Sequence, residues 1–254
     1  MSQWPNQALP LWSLHLDAEA AISITFNHPR VSEANRCAAN LARLLAESTL
    51  LGVQAVVPAM VSVTVFVDLS VWAQQIEPSL LDKAEFWAHQ LAPLAEQACQ
   101  LETEQPIGKR WRVPMCFEAE FAPDLPAVAE QIGQTPQRLI AQFLHLPIRV
   151  LMLGFAPGHP YLGFYPGLSG LGRRATPRTE VPAGSFGVAN GQGVLYSVPS
   201  PGGWSLVGRT PWRLFDALRD EPVLFRAGDT LSFYPIDRDT FWRLHEQAGA
   251  MYER

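Results

Sequence analysis

The stretch GFAPGHPYLGFYPGL (residues 154–168), resumed as ATPRTEVPAGSFGVANGQGVLYSVPSPGGWSLVGRTP (175–211), lies in a region, 154–211, that holds thirteen of the chain's eighteen glycines. Ordered glycine costs conformational entropy. A dense, non-repeating set of glycines and prolines around Tyr161, Arg178, Trp204 and Arg209 therefore implies tight turns and close backbone approaches, not a linker. Short strands broken by turns are expected at 187–189, 194–196 and 205–207, with another at 230–234.

Working outward, residues 148–153 (IRVLML) read as a buried strand that delivers the chain into this region. Thr135-Pro136 predicts an N-cap and first helical position, Asp124 caps a helix to about residue 132, and 112–117 reads as a strand. Thr210-Pro211 predicts a short helix through Leu218. Residues 10–70 read as strand, helix, strand, strand. In 21–26, Ile22, Ile24 and Phe26 alternate with Ser23 and Thr25, giving an edge-type strand. Ala34, Cys37, Ala38, Leu41, Leu44 and Leu45 recur at helical spacing behind Ser32 as N-cap. A helical block follows over 78–99, and the polar run 102–109 is the expected boundary between domains 1–105 and 106–254.

At 254 residues, 48% hydrophobic and 17% charged, the chain can bury a sizeable core, which excludes a disordered protein. Its net charge of -5 offers no broad basic field, so nucleic acid is not an expected partner. Residues 48–67 are uncharged and long enough to span a membrane, but Gly52, Gln54 and Pro58 interrupt them. Val61, Val63, Val65 and Val67 alternate with Ser62, Thr64, Phe66 and Asp68, so two strands around a turn are expected and no membrane partner. No basic region precedes an apolar core at the N-terminus, so no signal peptide is expected. Cys37, Cys99 and Cys116 lack CxxC spacing and read as buried free thiols, in keeping with a cytoplasmic protein.

No GxxxxGK motif followed by Ser or Thr is present, nor GxGxxG between a strand and a helix. The six histidines lack HExxH-like spacing, so no metal site is expected. Ser185 follows VPAG rather than sitting in GxSxG, and reads as a turn or capping hydroxyl. Cationic and backbone-donor chemistry stands out instead. Arg178, Arg209 and the amides of Gly184, Gly202 and Gly203 suit a carboxylate or phosphate. The alternative is that the arginines pair with Glu180 or Asp216 and staple loops. His159, beside Tyr161 in PGHPYLG, either transfers protons near neutral pH or is a hydrogen-bonded turn residue. Gln192 is either an amide ligand or a turn residue, and Trp204 a core or pocket-wall aromatic.

Taken together, GFAPGHPYLG, TPRTEVPAGSFGVANGQG, LYSVPSPGGWSLVGRTP and the closing AGDTLSFYPI resemble the family of 5-oxoprolinase B subunits. That family also contains the sensor-kinase inhibitor KipI and the protein long called allophanate hydrolase subunit 1. The likeness covers nearly the whole chain and is strongest over 154–236. It implies an α+β fold, with a small N-terminal α/β sandwich domain followed by a cyclophilin-like β-barrel domain whose glycine-rich loops line a pocket. It also implies two partners, a related barrel protein (the C subunit) and a metal-dependent protein (the A subunit). Together the three open 5-oxo-L-proline to L-glutamate. ATP, with Mg, would be bound in the complex, and this chain would hold no metal.

The family's PR of PRxxVPAGS falls on Pro177-Arg178, its SPGGW on 200–204, its GRTP on 208–211, and its turn motif on Pro157-Gly158 and Tyr161-Leu162-Gly163. The candidate catalytic set is Arg178, Arg209 and His159; the candidate substrate-binding set is Tyr161, Gln192, Gly202, Gly203 and Trp204. Two positions depart from the family. His159 stands where an apolar residue is usual, and Phe143 stands where members often carry His, with His145 two residues on. The glycine-rich segment 164–172 reads as a lengthened loop. The expected chemistry is phosphorylation of a lactam oxygen, with cations stabilising the transferring group. The alternatives are a KipI-like inhibitor of a histidine kinase and a carboxyltransferase-type lobe for urea or allophanate, although the chain has no biotinyl-lysine motif.

Overall fold

The computed structural model describes residues 11–73, 80–101, 108–165 and 167–250. The chain divides into two units, Met1–Glu104 and Gln105–Arg254. Most of the polar run 102–109, where the domain boundary is expected, lies outside the described residues, as does Pro78.

The first unit runs β1 (Trp12–Ala18), β2 (Ala21–Phe26), α1 (Val31–Glu47), β3 (Val53–Pro58), β4 (Ser62–Val67), α2 (Leu69–Ala73) and α3 (Leu80–Gln100). Its four strands form an antiparallel sheet in the order β1-β2-β4-β3. Alternation buries Val63, Val65 and Val67 and leaves Phe66 exposed. These valines pack with Ile22, Ile24 and Phe26, with Cys37 and Leu41 of α1, and with Trp87 and Leu91 of α3, making an α/β sandwich.

Polar groups of α1 satisfy the carbonyls that α3 leaves unpaired at its C-terminus. Arg36 donates to the Leu101 carbonyl, and the buried Asn40 amide donates to Ala98 O at 3.0 Å and Leu101 O at 3.2 Å. Two expectations are corrected. Residues 21–26 form an interior strand, because Trp12, Leu14 and Leu16 alternate with Ser13, His15 and Asp17 to make β1 beside it. The α1 N-cap position is Arg30, with no side-chain cap bond, so Ser32 lies inside the helix.

The second unit runs β5 (Arg110–Cys116), α4 (Leu125–Gln131), α5 (Pro136–His145), β6 (Ile148–Leu153), β7 (Pro160–Phe164), β8 (Arg178–Val181), β9 (Ser185–Ala189), β10 (Gln192–Leu195), β11 (Ser200–Gly202), β12 (Ser205–Arg209), β13 (Thr230–Ile236) and α6 (Arg238–Ala250). Seven strands close a barrel in the order β10-β7-β6-β13-β5-β12-β9, and β11 and β8 form a separate two-stranded sheet. The barrel pairs are antiparallel except β13 with β5, which run parallel from Thr230↔Arg110 to Ile236↔Cys116.

Asn190 and Gly191, at φ 50° and 77°, make the two-residue turn between β9 and β10. Thr135 caps α5, its hydroxyl accepting from the Arg138 amide at 3.3 Å. Leu139 and Phe143 of α5 enter the barrel core, where the Phe143 ring meets Tyr165 and Phe186, each at 5.1 Å between centroids.

The helix expected after Thr210-Pro211 does not form. Residues 214–224 are drawn instead into cross-loop pairing, with the Leu224 amide on Leu214 O at 2.9 Å, the Asp216 amide on Pro222 O at 2.9 Å, and a bridge between Phe215 and Val223. These cross-loop bonds take backbone groups a helix would have used.

Candidate functional site

Strand alternation gives the barrel wall two apolar faces. Leu162, Phe186, Val188, Leu195 and Val207 belong to the barrel core. Tyr161, Val194, Tyr196, Trp204 and Leu206 form a second cluster with Val181 of β8. At this second cluster lies a cavity of about 100 Å³, lined by the rings of Phe155, His159, Tyr161, Tyr196 and Trp204, by Arg173 and by residues 201–203.

The turn between β6 and β7 places His159. Its amide donates to Ala156 O at 3.1 Å and its carbonyl accepts from the Gly154 amide at 3.1 Å. Gly158, at φ 67°, makes that turn possible. The imidazole is 3% exposed. It stands edge-on to Tyr196 at 5.1 Å, with Phe155 and Tyr161 at 5.3 and 5.4 Å. Burial among these rings pushes the His159 pKa down from 6.5 to about 4, so the ring is uncharged at neutral pH. Among the described residues its Nδ1 is buried without a hydrogen-bond partner.

Close backbone approaches hold the aromatic wall. A Cβ on Gly187 would lie 2.9 Å from Trp204 Cβ, so only glycine lets that side chain lie on β9. A Cβ on Gly202 would collide with Tyr196 Oη. The Trp204 amide hydrogen-bonds the Tyr196 phenolic oxygen, while burial as the larger effect raises that group's pKa.

The structure brings His159, Tyr161, Gly202, Gly203 and Trp204 to one cavity and keeps Arg178, Arg209 and Gln192 out of its lining. Arg178 Nη2 donates to Asp124 Oδ1 at 2.8 Å, Arg174 Nη1 to the same oxygen at 3.0 Å, and the Leu206 amide to Oδ2 at 2.7 Å. Asp124 therefore occupies the N-cap position of α4 without using its carboxylate as a cap. Burial acts to raise this carboxyl, but the Arg178 hydrogen bond, the Leu206 amide and Arg174 outweigh it and leave the pKa below the ordinary value.

Arg209 Nε donates to Ala183 O at 2.8 Å, and its guanidinium lies 5.4 Å from the centre of the Phe241 ring. Among the described residues neither arginine pairs with Glu180 or Asp216; Arg178 takes Asp124, and Asp216 pairs with Arg213 at 3.0 Å. Gln192 is the half-buried first residue of β10, in register with Ala189 and Phe164. Phe143, where the resemblance implies a histidine, is a fully buried barrel residue. His145 is exposed, with its Nδ1 2.9 Å from Ala141 O.

Phe155, Arg173 and Tyr196 complete the cavity and are not among the sequence candidates. Sequence signals point to two of them, Tyr196 and Arg173. Tyr196 lies two residues beyond Val194, just past the end of β10, and packs in the same cluster, and Arg173, Arg174 and Arg178 crowd six positions that hold no carboxylate. Among the described residues no group of three or more His, Cys, Asp or Glu side chains is placed to hold a metal. No described helix is long and apolar enough to cross a membrane.

Residues 12–225 match the carboxyltransferase domain, subdomains C and D. Over 232 residues the chain is 32% identical to the 5-oxoprolinase B subunit of Bacillus subtilis, covering 91% of this chain and 95% of that protein. The chain belongs to the family of 5-oxoprolinase B subunits. The protein of the same name from Haemophilus influenzae is 37% identical over 178 residues, which is 70% of this chain and 77% of the relative. Among solved structures, TTHA0988 superposes with TM-score 0.67 at 29% identity over 85% of this chain; the match spans 40% of TTHA0988. The urea amidolyase of K. lactis matches at TM-score 0.67 and 19% identity over 93% of this chain and 15% of its own, a likeness of fold alone.

Proposed function

We propose that this chain is the B subunit of an ATP-dependent 5-oxoprolinase, acting with a related barrel protein, the C subunit, and a metal-dependent protein, the A subunit, to open 5-oxo-L-proline to L-glutamate. One observation carries this reading: a protein named as the B subunit of 5-oxoprolinase aligns with 91% of the chain. The cavity is in keeping with it, because the segments around His159 and Trp204, which bear the family motifs, are the ones that line it.

At about 100 Å³ the cavity is on the scale that holds one small ring, and well short of the roughly 300 Å³ at which larger ligand pockets begin. It suits a five-membered lactam and does not fit a nucleotide. ATP and its Mg would be held outside this cavity, elsewhere in the complex. This chain's part is to bind and orient the lactam. The aromatic rings exclude water around it, and uncharged His159 hydrogen-bonds its amide edge through Nδ1. Arg178 and Arg209 brace the surrounding loops through Asp124 and Ala183.

The test is ATP hydrolysis by this chain mixed with the related barrel protein and the metal-dependent protein, with and without 5-oxo-L-proline. ATP loss that depends on 5-oxoproline and matches glutamate release is expected. A stable complex without turnover overturns the assignment, and binding of a histidine-kinase dimerisation domain would then favour the KipI-like reading.

A further inference from the structure

Of the three neighbouring arginines Arg173, Arg174 and Arg178, two lie against a single buried carboxylate, Asp124. Arg174 and Arg178 share its Oδ1, and the Leu206 amide takes Oδ2. Arg173 is left over and forms no ion pair among the described residues. Its guanidinium lies instead 5.5 Å from the centre of the Trp204 ring, and both side chains line the small cavity. An arginine held over an aromatic face keeps its fork of N–H donors free for an anion.

His159 lines the same cavity, 3% exposed, with Nδ1 unpartnered among the described residues. A buried polar atom left unpaired in this way costs free energy that a ligand can recover by pairing with it. The cavity therefore offers one cation, one uncharged ring nitrogen and aromatic walls, within about 100 Å³. The complement is a small ring with one carboxylate and one neutral polar edge.

We propose that Arg173 is the residue that anchors the substrate carboxylate, making this cavity a site for small-ring monocarboxylates. The inference deepens the 5-oxoprolinase reading and rests on it for the identity of the ring. Arg173 binds without itself reacting, and it selects charged lactams over neutral ones.

The experiment compares wild type with Arg173→Gln and Arg173→Lys in two arms. In the first, calorimetry on the full chain titrates 5-oxo-L-proline, cyclopentanecarboxylate and the uncharged lactam 2-pyrrolidinone. In the second, KM and kcat for 5-oxo-L-proline are measured in the reconstituted complex. Arg173→Gln is expected to weaken both carboxylates about tenfold or more, to leave 2-pyrrolidinone unchanged, and to raise KM far more than it lowers kcat. Arg173→Lys should restore part of the loss. A role confined to holding the loop would weaken all three probes alike, and that result overturns the proposal. Binding of neither carboxylate in either arm overturns it too. If the complex turns over 5-oxo-L-proline with an unchanged KM in Arg173→Gln, the anchor is wrong and the enzyme reading stands. If the carboxylates bind through Arg173 but the complex never turns over, the anchor stands and the enzyme reading falls.

Discussion

His159 gives the clearest residue-scale prediction. Its ordinary pKa is 6.5 and burial in the folded chain brings it to about 4. As pH falls, the unfolded chain takes up this proton first, so the stability tied to a neutral His159 is complete above the ordinary value and is lost between about 6.5 and about 4. At most about 3 kcal/mol is involved. Urea unfolding of wild type and His159→Gln near pH 7 and pH 4.5 reads this directly; the variant should lose less stability on acidification, and equal losses would mean that the ring protonates freely in the fold. Tyr165 gives a prediction of opposite sign. Its hydroxyl is buried without a hydrogen-bond partner among the described residues, so Tyr165→Phe should stabilise the chain by about 1 kcal/mol in the same assay. Asp124→Asn removes the charge that holds Arg174 and Arg178 and should cost about 3 kcal/mol. Residue types are legible in the sequence at this scale but their partners are not. Arg178 reads there as an anion ligand or a mate for Glu180, whereas its acid lies 54 positions earlier.

At the scale of elements, local rules work where local bonds decide. Thr135 caps α5 as its Thr-Pro sequence predicts, and Thr135→Ala should cost about 1 kcal/mol in thermal or urea unfolding. The same sequence at Thr210-Pro211 starts no helix, because residues 214–224 find partners across a loop. The small sheet of β8 and β11 has no period long enough to announce it, since β11 is only three residues long. Its closeness to the barrel is set by glycine: Gly202→Ala would drive a methyl into Tyr196 Oη. That variant should close the cavity, and ligand titration should show 5-oxo-L-proline affinity falling while circular dichroism still reports a folded barrel.

At the scale of the whole molecule, each unit has its own apolar core, one on the sheet and helices of the first unit and one inside the closed barrel of the second. Residues 105–254 expressed alone should therefore unfold cooperatively in urea, and a broad, non-cooperative transition would refute an independent barrel core. The sequence by itself determined the strand alternation at 21–26 and 61–68, the Thr135 cap, the glycine-rich turns and the motifs whose resemblance implies the α+β class, because these depend on residues a few positions apart. Only the tertiary structure decided which cation faces the cavity. Arg173, Arg174 and Arg178 are chemically alike in sequence. They part because α4 carries Asp124 to β12, where the Leu206 amide fixes its carboxylate and two of the three arginines are drawn onto it, leaving Arg173 over Trp204.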